Sequence, residues 1–233
     1  MVEQERAGLA ALSSLGDPVR SQLYEFVAGS AGPVGRDEAA AATGIGRPLA
    51  AYHLDKLVGL GLLTASFRPP PGPSGRGAGR PAKVYARSGR EFAATVPPRE
   101  YELAASLLAQ AIESDSGGQA RAALHSAARQ RGAELGRQHR AGRAWPGRAR
   151  GVQATEEALR AHGFEPRLDQ DGRIVLQNCP FHQLAIRNRD LICGMNLALV
   201  QGFAAGLGAT GLSPALDPGP GRCCVVISQG QPA

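Results

Sequence analysis

A stretch rich in glycine and proline near residue 70 most constrains what the first hundred residues can fold into. Residues 68–82 (RPPPGPSGRGAGRPA) contain five Pro and four Gly, a composition that neither a helix interior nor a central strand tolerates. Short segments typical of strands, 62–67 (LLTASF) and 83–86 (KVYA), lie on either side. The stretch is therefore predicted to form the tip of a β-hairpin.

Helical patterns precede this hairpin. Residues 5–29 predict helix, interrupted at Gly16-Asp17-Pro18, and Pro18 suits the first turn of a new helix that begins near Asp17. Two further helices are predicted over 36–43 and 47–60. The apolar residues of the last helix at inward-facing spacing are Ala50, Leu54, Leu57 and Val58. Helix, turn, helix and hairpin, in this order, are typical of a winged helix-turn-helix domain, which binds DNA.

Two separated stretches carry a resemblance to a known family. They are LGDPVRSQLYEFV, in an early helix, and AYHLDKLVGLGLL, which runs from the candidate DNA-reading helix into the first hairpin strand. Over residues 12–87 the chain resembles the DNA-binding domain of ArsR-like winged-helix repressors. The resemblance implies a double-stranded DNA operator as the partner.

The helix predicted over 47–60 carries the side chains that would read this DNA. Arg47 can donate two hydrogen bonds to a guanine edge, Tyr52 and His53 can reach bases or phosphates, and Lys56 suits the DNA backbone. A packed or capping role for His53 is the alternative. The complete predicted set of DNA-contacting residues is Arg47, Pro48, Ala51, Tyr52, His53, Lys56, Arg76, Arg80 and Lys83.

The hairpin tip is the second DNA-binding element that the sequence predicts. Between Ser66 and Arg90 there are six basic residues and no acidic one. Gly79-Arg80-Pro81 resembles the core of AT-hook peptides, in which Arg enters a narrow, electronegative minor groove. The alternative is a flexible loop that only improves solubility.

The rest of the chain changes character after Pro97-Pro98. Helices are predicted over 99–114 and 119–141, and residues 116–150 hold eight Arg and one Glu, which either flank the DNA or form the solvated face of a dimer helix. Mixed helices and short strands follow from residue 152. We predict an α+β protein with a winged helix-turn-helix domain (5–96), a helical dimerisation linker (97–150) and an α/β sensor domain with clustered cysteines (151–229).

Composition narrows the functional classes. The net charge is +6, but residues 151–233 hold six Arg and seven acidic residues, so the DNA-binding charge lies earlier in the chain. No run of 18 apolar residues and no signal-peptide pattern appears, which predicts a cytoplasmic protein without a membrane span. No orienting acid, oxyanion donor or phosphate-binding loop stands at readable spacing, so an enzyme is not expected.

Four cysteines, Cys179, Cys193, Cys223 and Cys224, all fall in the last 55 residues. In a cytoplasmic chain such clustering favours metal or redox chemistry over a disulfide framework. Three or four thiolates suit zinc or an iron–sulfur cluster, and His182, in the spacing Cys179-x2-His182, is either a fourth ligand or an ordinary histidine. Alternate residues of a strand face opposite ways, so Cys223 and Cys224 can serve one centre only if the strand bends.

The cysteine segments carry a second resemblance. The sequence NCPF, then a cysteine thirteen residues further on before GMNLALVQG, then a late RC segment after Asp217-Pro218, resembles the Suf repressor (SufR) group over residues 12–228. This implies a homodimeric regulator, favoured as a repressor, that holds a [4Fe-4S] cluster on Cys179, Cys193 and Cys223. Cys224 either replaces Cys223 or is spare. Zinc, thiol oxidation and a small organic effector remain alternative signals.

Overall fold

The computed structural model of the protein describes residues 3–69, 81–95, 99–141, 148–209, 211–219 and 221–229. The protein is mixed α+β. The chain divides into two compact units, residues 1–99 and 100–233.

The first unit combines helices with a small antiparallel sheet, whose strand order is β1-β3-β2. Its elements are α1 (Glu3–Ser14), α2 (Pro18–Gly29), β1 (Val34–Gly35), α3 (Arg36–Thr43), α4 (Arg47–Gly59), β2 (Leu63–Arg68) and β3 (Ala82–Arg87). The predicted break between the first two helices is confirmed. The Asp17 side chain caps α2 by accepting a hydrogen bond of 3.0 Å from the Arg20 backbone N–H, and Pro18 occupies the first turn.

The predicted hairpin strands are also present, paired antiparallel from Leu63 opposite Arg87 to Arg68 opposite Ala82. The sequence did not predict β1, because two residues are too few for a strand pattern, yet Val34 pairs with Tyr85. The core of this unit is aliphatic with one aromatic ring. Leu23, Leu54, Leu57, Leu63 and Tyr85 are fully or almost fully buried in it.

The second unit places helices around a four-stranded antiparallel sheet with the strand order β4-β5-β7-β6. Its elements are α5 (Tyr101–Glu113), α6 (Gln119–Arg140), α7 (Arg148–Arg160), β4 (Pro166–Leu168), β5 (Ile174–Leu176), α8 (His182–Arg187), α9 (Arg189–Leu207), β6 (Leu212–Leu216) and β7 (Val225–Gln229). The sequence did not predict β6, which contains Pro214. Its position at the sheet edge accommodates a residue that lacks a backbone donor.

Helices α6 and α9 pack with their backbones in direct contact. A Cβ atom added at Gly132 or Gly136 would collide with the backbone of α9, and one added at Gly202 or Gly206 would collide with the backbone of α6. Gly132 lies against Leu199 and Phe203, and Gly136 lies against the later residues Phe203 and Leu207, so the two helices run parallel. Glycine spaced by four residues on both helices permits this approach, because no side chain separates the backbones.

Helix α9 is the central element of the second unit. Val200 and Phe203 lie in one core with Ile174, Leu176 and Ile227 of the sheet. Among the described residues, α9 is the one helix with the length and hydropathy of a membrane span, and 61% of the tested window is buried inside the protein. A core helix in a soluble protein meets the same criteria, so this finding does not establish a membrane span.

Candidate functional sites

Helix α4 has a buried and an outward face, as its pattern predicts. Ala50, Leu54 and Leu57 are fully buried, whereas Arg47 and Pro48 are exposed at its start and Tyr52 is 63% exposed. We call the surface formed by Arg47, Pro48, Ala51, Tyr52 and Lys56 the outer face of α4. Lys56 is exposed and Ala51 is half-buried, so the five predicted residues lie on the accessible side of one helix.

His53 is placed differently from the other predicted DNA contacts. Only 8% of its surface is exposed, and its ring meets the neighbouring Tyr52 ring edge-on at 5.2 Å between centroids. The packed role considered as the alternative therefore describes His53 here, and the expected contact with bases or phosphates does not fit a buried ring. Its i, i+3 spacing from the buried Ala50 was the signal for this position.

Two of the predicted DNA-binding cations already have acidic partners. Arg47 Nε lies 2.7 Å from the Asp37 carboxylate, and both side chains are mostly exposed. Lys83 Nζ lies 2.7 Å from Asp55 Oδ1, which also accepts a hydrogen bond of 2.7 Å from the buried Tyr85 hydroxyl. Asp55 therefore ties α4 to β3. Arg76 and Arg80 lie outside the described residues.

The pKa of Tyr85 is raised and that of its partner Asp55 is lowered. Burial and the hydrogen bond to Asp55 together raise the pKa of Tyr85 to about 12. Burial alone would raise the pKa of Asp55, but the bonds from Lys83 and Tyr85 outweigh it and leave that pKa below its usual value. Asp55 is thus held as a carboxylate at the junction of helix and hairpin.

In the second unit, the four cysteines come from three segments and form two close pairs. Cys193 Sγ of α9 lies 2.8 Å from Cys224 Sγ, and the Cys179 thiol donates a hydrogen bond to the Cys223 sulfur. Cys193 also interacts electrostatically with Cys223, which links the two pairs. All four are free thiols. We call this group the four-thiol site.

The pKa of the Cys223 thiol is lowered, whereas those of Cys179 and Cys193 are raised. Cys223 is 3% exposed, yet hydrogen bonds from Cys179, the Val225 backbone and Asn196 lower its pKa to about 7. The Asn196 amide nitrogen lies 3.2 Å from this sulfur, and Asn196 is itself 1% exposed. Donors therefore surround the Cys223 sulfur and stabilise a buried thiolate.

The other thiols with resolved shifts favour the protonated form. Donating to Cys223 and burial raise the pKa of Cys179 far above its usual value. Burial and the contact with Cys224 raise the pKa of Cys193 to about 12. For Cys179, the hydrogen bond to the Cys223 sulfur outweighs the Phe181 backbone donor, which alone would lower the pKa.

Cys223 and Cys224 both precede the last strand. Strand β7 starts at Val225, Cys224 lies in a bend, and the Cys224 carbonyl accepts a hydrogen bond of 2.7 Å from the Asp217 N–H. The alternation of a regular strand does not apply to this segment, so neighbouring cysteines can both face one site. Asp217 also pairs with Arg222 at 3.1 Å and Arg173 at 3.4 Å, which anchors the bend to the sheet.

The donors of the four-thiol site match the metal centres that the sequence suggests in their chemistry but not in their spacing. Soft thiolates suit zinc or an iron–sulfur cluster, and the burial around Cys223 suits either. Two thiolates on one tetrahedral zinc ion at about 2.3 Å each would lie about 3.8 Å apart. Cys193 and Cys224 are closer than that, and the described residues contain no group of three or more His, Cys, Asp or Glu side chains that could hold a metal ion. The site thus fits a soft metal in its donors, while its sulfurs stand as pairs.

Histidines near this region differ in burial. His182 begins α8 with an exposed side chain, and only its backbone N–H bonds to the Cys179 carbonyl, at 3.0 Å. The buried Nε2 of His125 lies against Gly194, next to Cys193, without a hydrogen-bond partner among the described residues. Sequence reasoning missed both His125 and Asn196. Asn196 lies one turn after Cys193 on α9, a spacing that could have indicated it, whereas only the packing of α6 on α9 brings His125 near Cys193.

Searches with the whole chain match no protein-family model, no curated protein and no solved structure. Function is therefore inferred from the chain's own residues and their geometry.

Proposed function

We propose that this protein is a winged-helix transcription regulator, a repressor, whose operator affinity depends on a [4Fe-4S] cluster held by the four-thiol site. The observation that carries the proposal is the convergence of four free thiols from three separate segments in one unit. The first unit supplies a helix with an exposed cationic and aromatic face, next to a hairpin in the order typical of winged helix-turn-helix domains.

The outer face of α4 is the proposed DNA-reading surface. Arg47 would donate to a guanine edge and Tyr52 would contact bases or phosphates, while Lys56 would pair with the backbone. The aliphatic core beneath, with Leu54 and Leu57 fully buried, fixes the direction in which these side chains point. Lys83 is held by Asp55, so its approach to DNA requires exchange of that ion pair.

Fluorescence anisotropy with a pool of random double-stranded oligonucleotides, followed by selection of the bound sequences, tests this surface. Arg47→Ala should weaken selected-site binding about tenfold, the effect of losing one good base contact of about 1–3 kcal/mol. Arg131→Ala removes the same charge from α6 and is the matched control, since Arg131 is also mostly exposed and pairs with one acid, Glu134. Equal losses in the two variants would favour the Arg-rich helix as the DNA surface and contradict the proposal.

Cys179, Cys193 and Cys223 are the proposed ligands of the cluster. The cluster would supply a centre that is sensitive to redox conditions or to nitric oxide. The chain itself surrounds the Cys223 sulfur with hydrogen-bond donors. Loss of the centre would release constraints on α9 and the β7 bend. A dimer whose two arrangements bind the operator unequally would convert that release into a change of affinity.

Anaerobic purification with iron, sulfide and zinc analysis tests the centre. About four irons and four sulfides per chain, with broad visible absorbance, are expected in the wild type, and Cys179→Ser or Cys223→Ser should lose them. Cys224→Ser is the matched control and should keep them. His125→Ala and His182→Ala compare the two candidates for a fourth ligand. Zinc alone would favour a zinc sensor, and no metal after reconstitution would overturn the cluster.

The regulator is proposed to act as a homodimer. The glycine face of α6 is occupied by α9 of the same chain, so we propose another surface for pairing the protomers. Helix α5 instead exposes three leucines, Leu103, Leu107 and Leu108, each more than half exposed. Such a contiguous apolar face suits a second copy of the chain. Leu107→Glu should shift the mass measured by light scattering from dimer to monomer, and an unchanged dimer would place the interface elsewhere.

A further inference from the structure

Cys224 is the thiol that the proposed three-cysteine ligand set leaves over. Its sulfur lies 2.8 Å from that of Cys193, and a disulfide bond is about 2.05 Å long. An approach of roughly 0.8 Å would therefore join the two sulfurs. Cys193 is fixed in α9, whereas Cys224 stands in a bend, where a small backbone adjustment suffices.

The pair formed by Cys179 and Cys223 has the same burial pattern, with one half-buried and one buried thiol. The Cys223 sulfur, however, also accepts hydrogen bonds from Asn196 and the Val225 N–H, which a movement toward Cys179 would disturb. Cys224 is half-buried, so it is more accessible to a small oxidant than Cys193 or Cys223. The short sulfur–sulfur distance is therefore what distinguishes the pair formed by Cys193 and Cys224.

We propose that Cys193 and Cys224 form a reversible disulfide when the protein meets a peroxide. The Cys224 thiolate attacks one oxygen of hydrogen peroxide, the O–O bond breaks, and the departing hydroxide takes up a proton to leave as water. The Cys193 sulfur then attacks the resulting sulfenic sulfur, an S–S bond forms, and hydroxide leaves with the Cys193 proton as a second water. The two sulfurs together lose two electrons, which reduce one peroxide to two waters.

This disulfide would regulate the centre, a consequence that rests on the proposed function. Cys193 is one of the three proposed ligands, and a sulfur bound to Cys224 cannot also bind iron. A protein that has lost its cluster and formed the disulfide could not take up a new cluster until a thiol reductant opens the bond. Cys224 would then make the loss of the cluster persist after the oxidant has gone.

Peptide mapping of the full-length chain tests the pairing. Without reduction, trypsin separates the cysteines into peptides 174–187 (Cys179), 190–222 (Cys193) and 223–233 (Cys223 and Cys224). After hydrogen peroxide treatment and alkylation, we expect peptide 190–222 linked to 223–233, and release of both by dithiothreitol.

Two serine variants identify which sulfur is bonded. The link should survive in Cys223→Ser and be lost in Cys224→Ser. Its survival in Cys224→Ser, a link from 174–187 instead, a bond within 223–233 or no link in the wild type would overturn the proposal.

A reloading assay separates this inference from the proposed function. Oxidised wild-type protein should take up no iron and sulfide without a reductant, whereas peroxide-treated Cys224→Ser should take them up as the reduced wild type does. Equal uptake by oxidised wild type and Cys224→Ser would overturn the regulatory role. Failure of the reduced wild type to take up iron would instead contradict the cluster, and the peptide map would still decide the disulfide.

Discussion

The two units place their candidate functional residues in different ways. In the first, an aliphatic core holds one face of α4, and the side chains of interest point outward from the other face of the same helix. In the second, the thiols come from three segments, and Cys179 and Cys223 lie in or against the core that α9 forms with the sheet. A surface on one element depends on local pattern, whereas a site between elements depends on how closely those elements approach.

The candidate sites of the two units also differ in their exposure to water. Arg47 and Asp37 on the first unit interact in water, where an ion pair contributes little. Cys223 and Asn196 in the second are almost fully buried, so each hydrogen bond there has a larger effect on the charge state. Substitutions should therefore act on binding in the first unit and on stability or thiol chemistry in the second.

The largest expected effect comes from the glycine contacts. Gly202→Ala places a methyl group into the Arg129 carbonyl of α6, which only a shift of the backbones relieves, and should lower the free energy of unfolding by about 3 kcal/mol or more. Gly151→Ala is the control: nothing lies near its added Cβ in α7, and it should stabilise by about 0.5–1 kcal/mol. Denaturant unfolding, with hydrogen exchange over 119–140 and 189–207, measures both. Similar stability in the two variants would contradict the close approach of α6 and α9.

A medium effect is expected where the first unit does have a buried polar contact. Asp55→Ala leaves the buried Tyr85 hydroxyl without its acceptor and should cost about 1–3 kcal/mol. Because the folded-state pKa of Asp55 is lowered, its contribution is present above its ordinary pKa near 4 and is lost as the pH falls through the lowered value. The stability difference between wild type and variant should therefore shrink in acid. A difference that stays constant from neutral pH to below pH 3 would assign the effect to packing alone.

Asn196 offers a test of the buried thiolate. Asn196→Leu removes the donor to Cys223 and should raise the pKa of that thiol from about 7 by about one unit, the size of one lost bond to a charged group. Ultraviolet thiolate absorbance against pH, recorded in a Cys224→Ser background, measures the shift. Gln201→Leu, on the same helix but bonded to Arg129, should leave the titration unchanged. Equal curves for both variants would show that Asn196 does not tune Cys223.

The smallest effect is expected at the exposed ion pair of the first unit. Asp37→Ala should change stability by less than about 0.5 kcal/mol, because both charges are mostly in water. It frees Arg47, so anisotropy should show DNA binding unchanged or tighter. Weaker DNA binding in this variant would mean that Asp37 orients Arg47. A polar contact would then position a candidate functional residue in the first unit as well as in the second.

Much of the first unit could be predicted from sequence, because its signals are local. Gly16-Asp17-Pro18 marks a helix boundary that Asp17 indeed caps, and the apolar spacing in 47–60 gives the buried face of α4 correctly. The second unit was predicted less well. Glycine at 132, 136, 202 and 206 is unfavourable in a helix by intrinsic propensity, and only the close approach of α6 and α9 explains its presence there. The bend at Cys224 is held by a hydrogen bond from the Asp217 N–H to the Cys224 carbonyl, which no sequence pattern near the cysteines predicts.

Helix α9 begins four residues before Cys193 and continues through its glycine contacts with α6. Where side chains separate two helices, rotamer changes absorb small displacements, but touching backbones leave nothing to absorb them. A displacement of a fraction of an ångström at Cys193 would therefore be transmitted along α9 to α6, and the two helices would move together. The four glycines therefore couple the movements of the two helices, in addition to permitting their close packing.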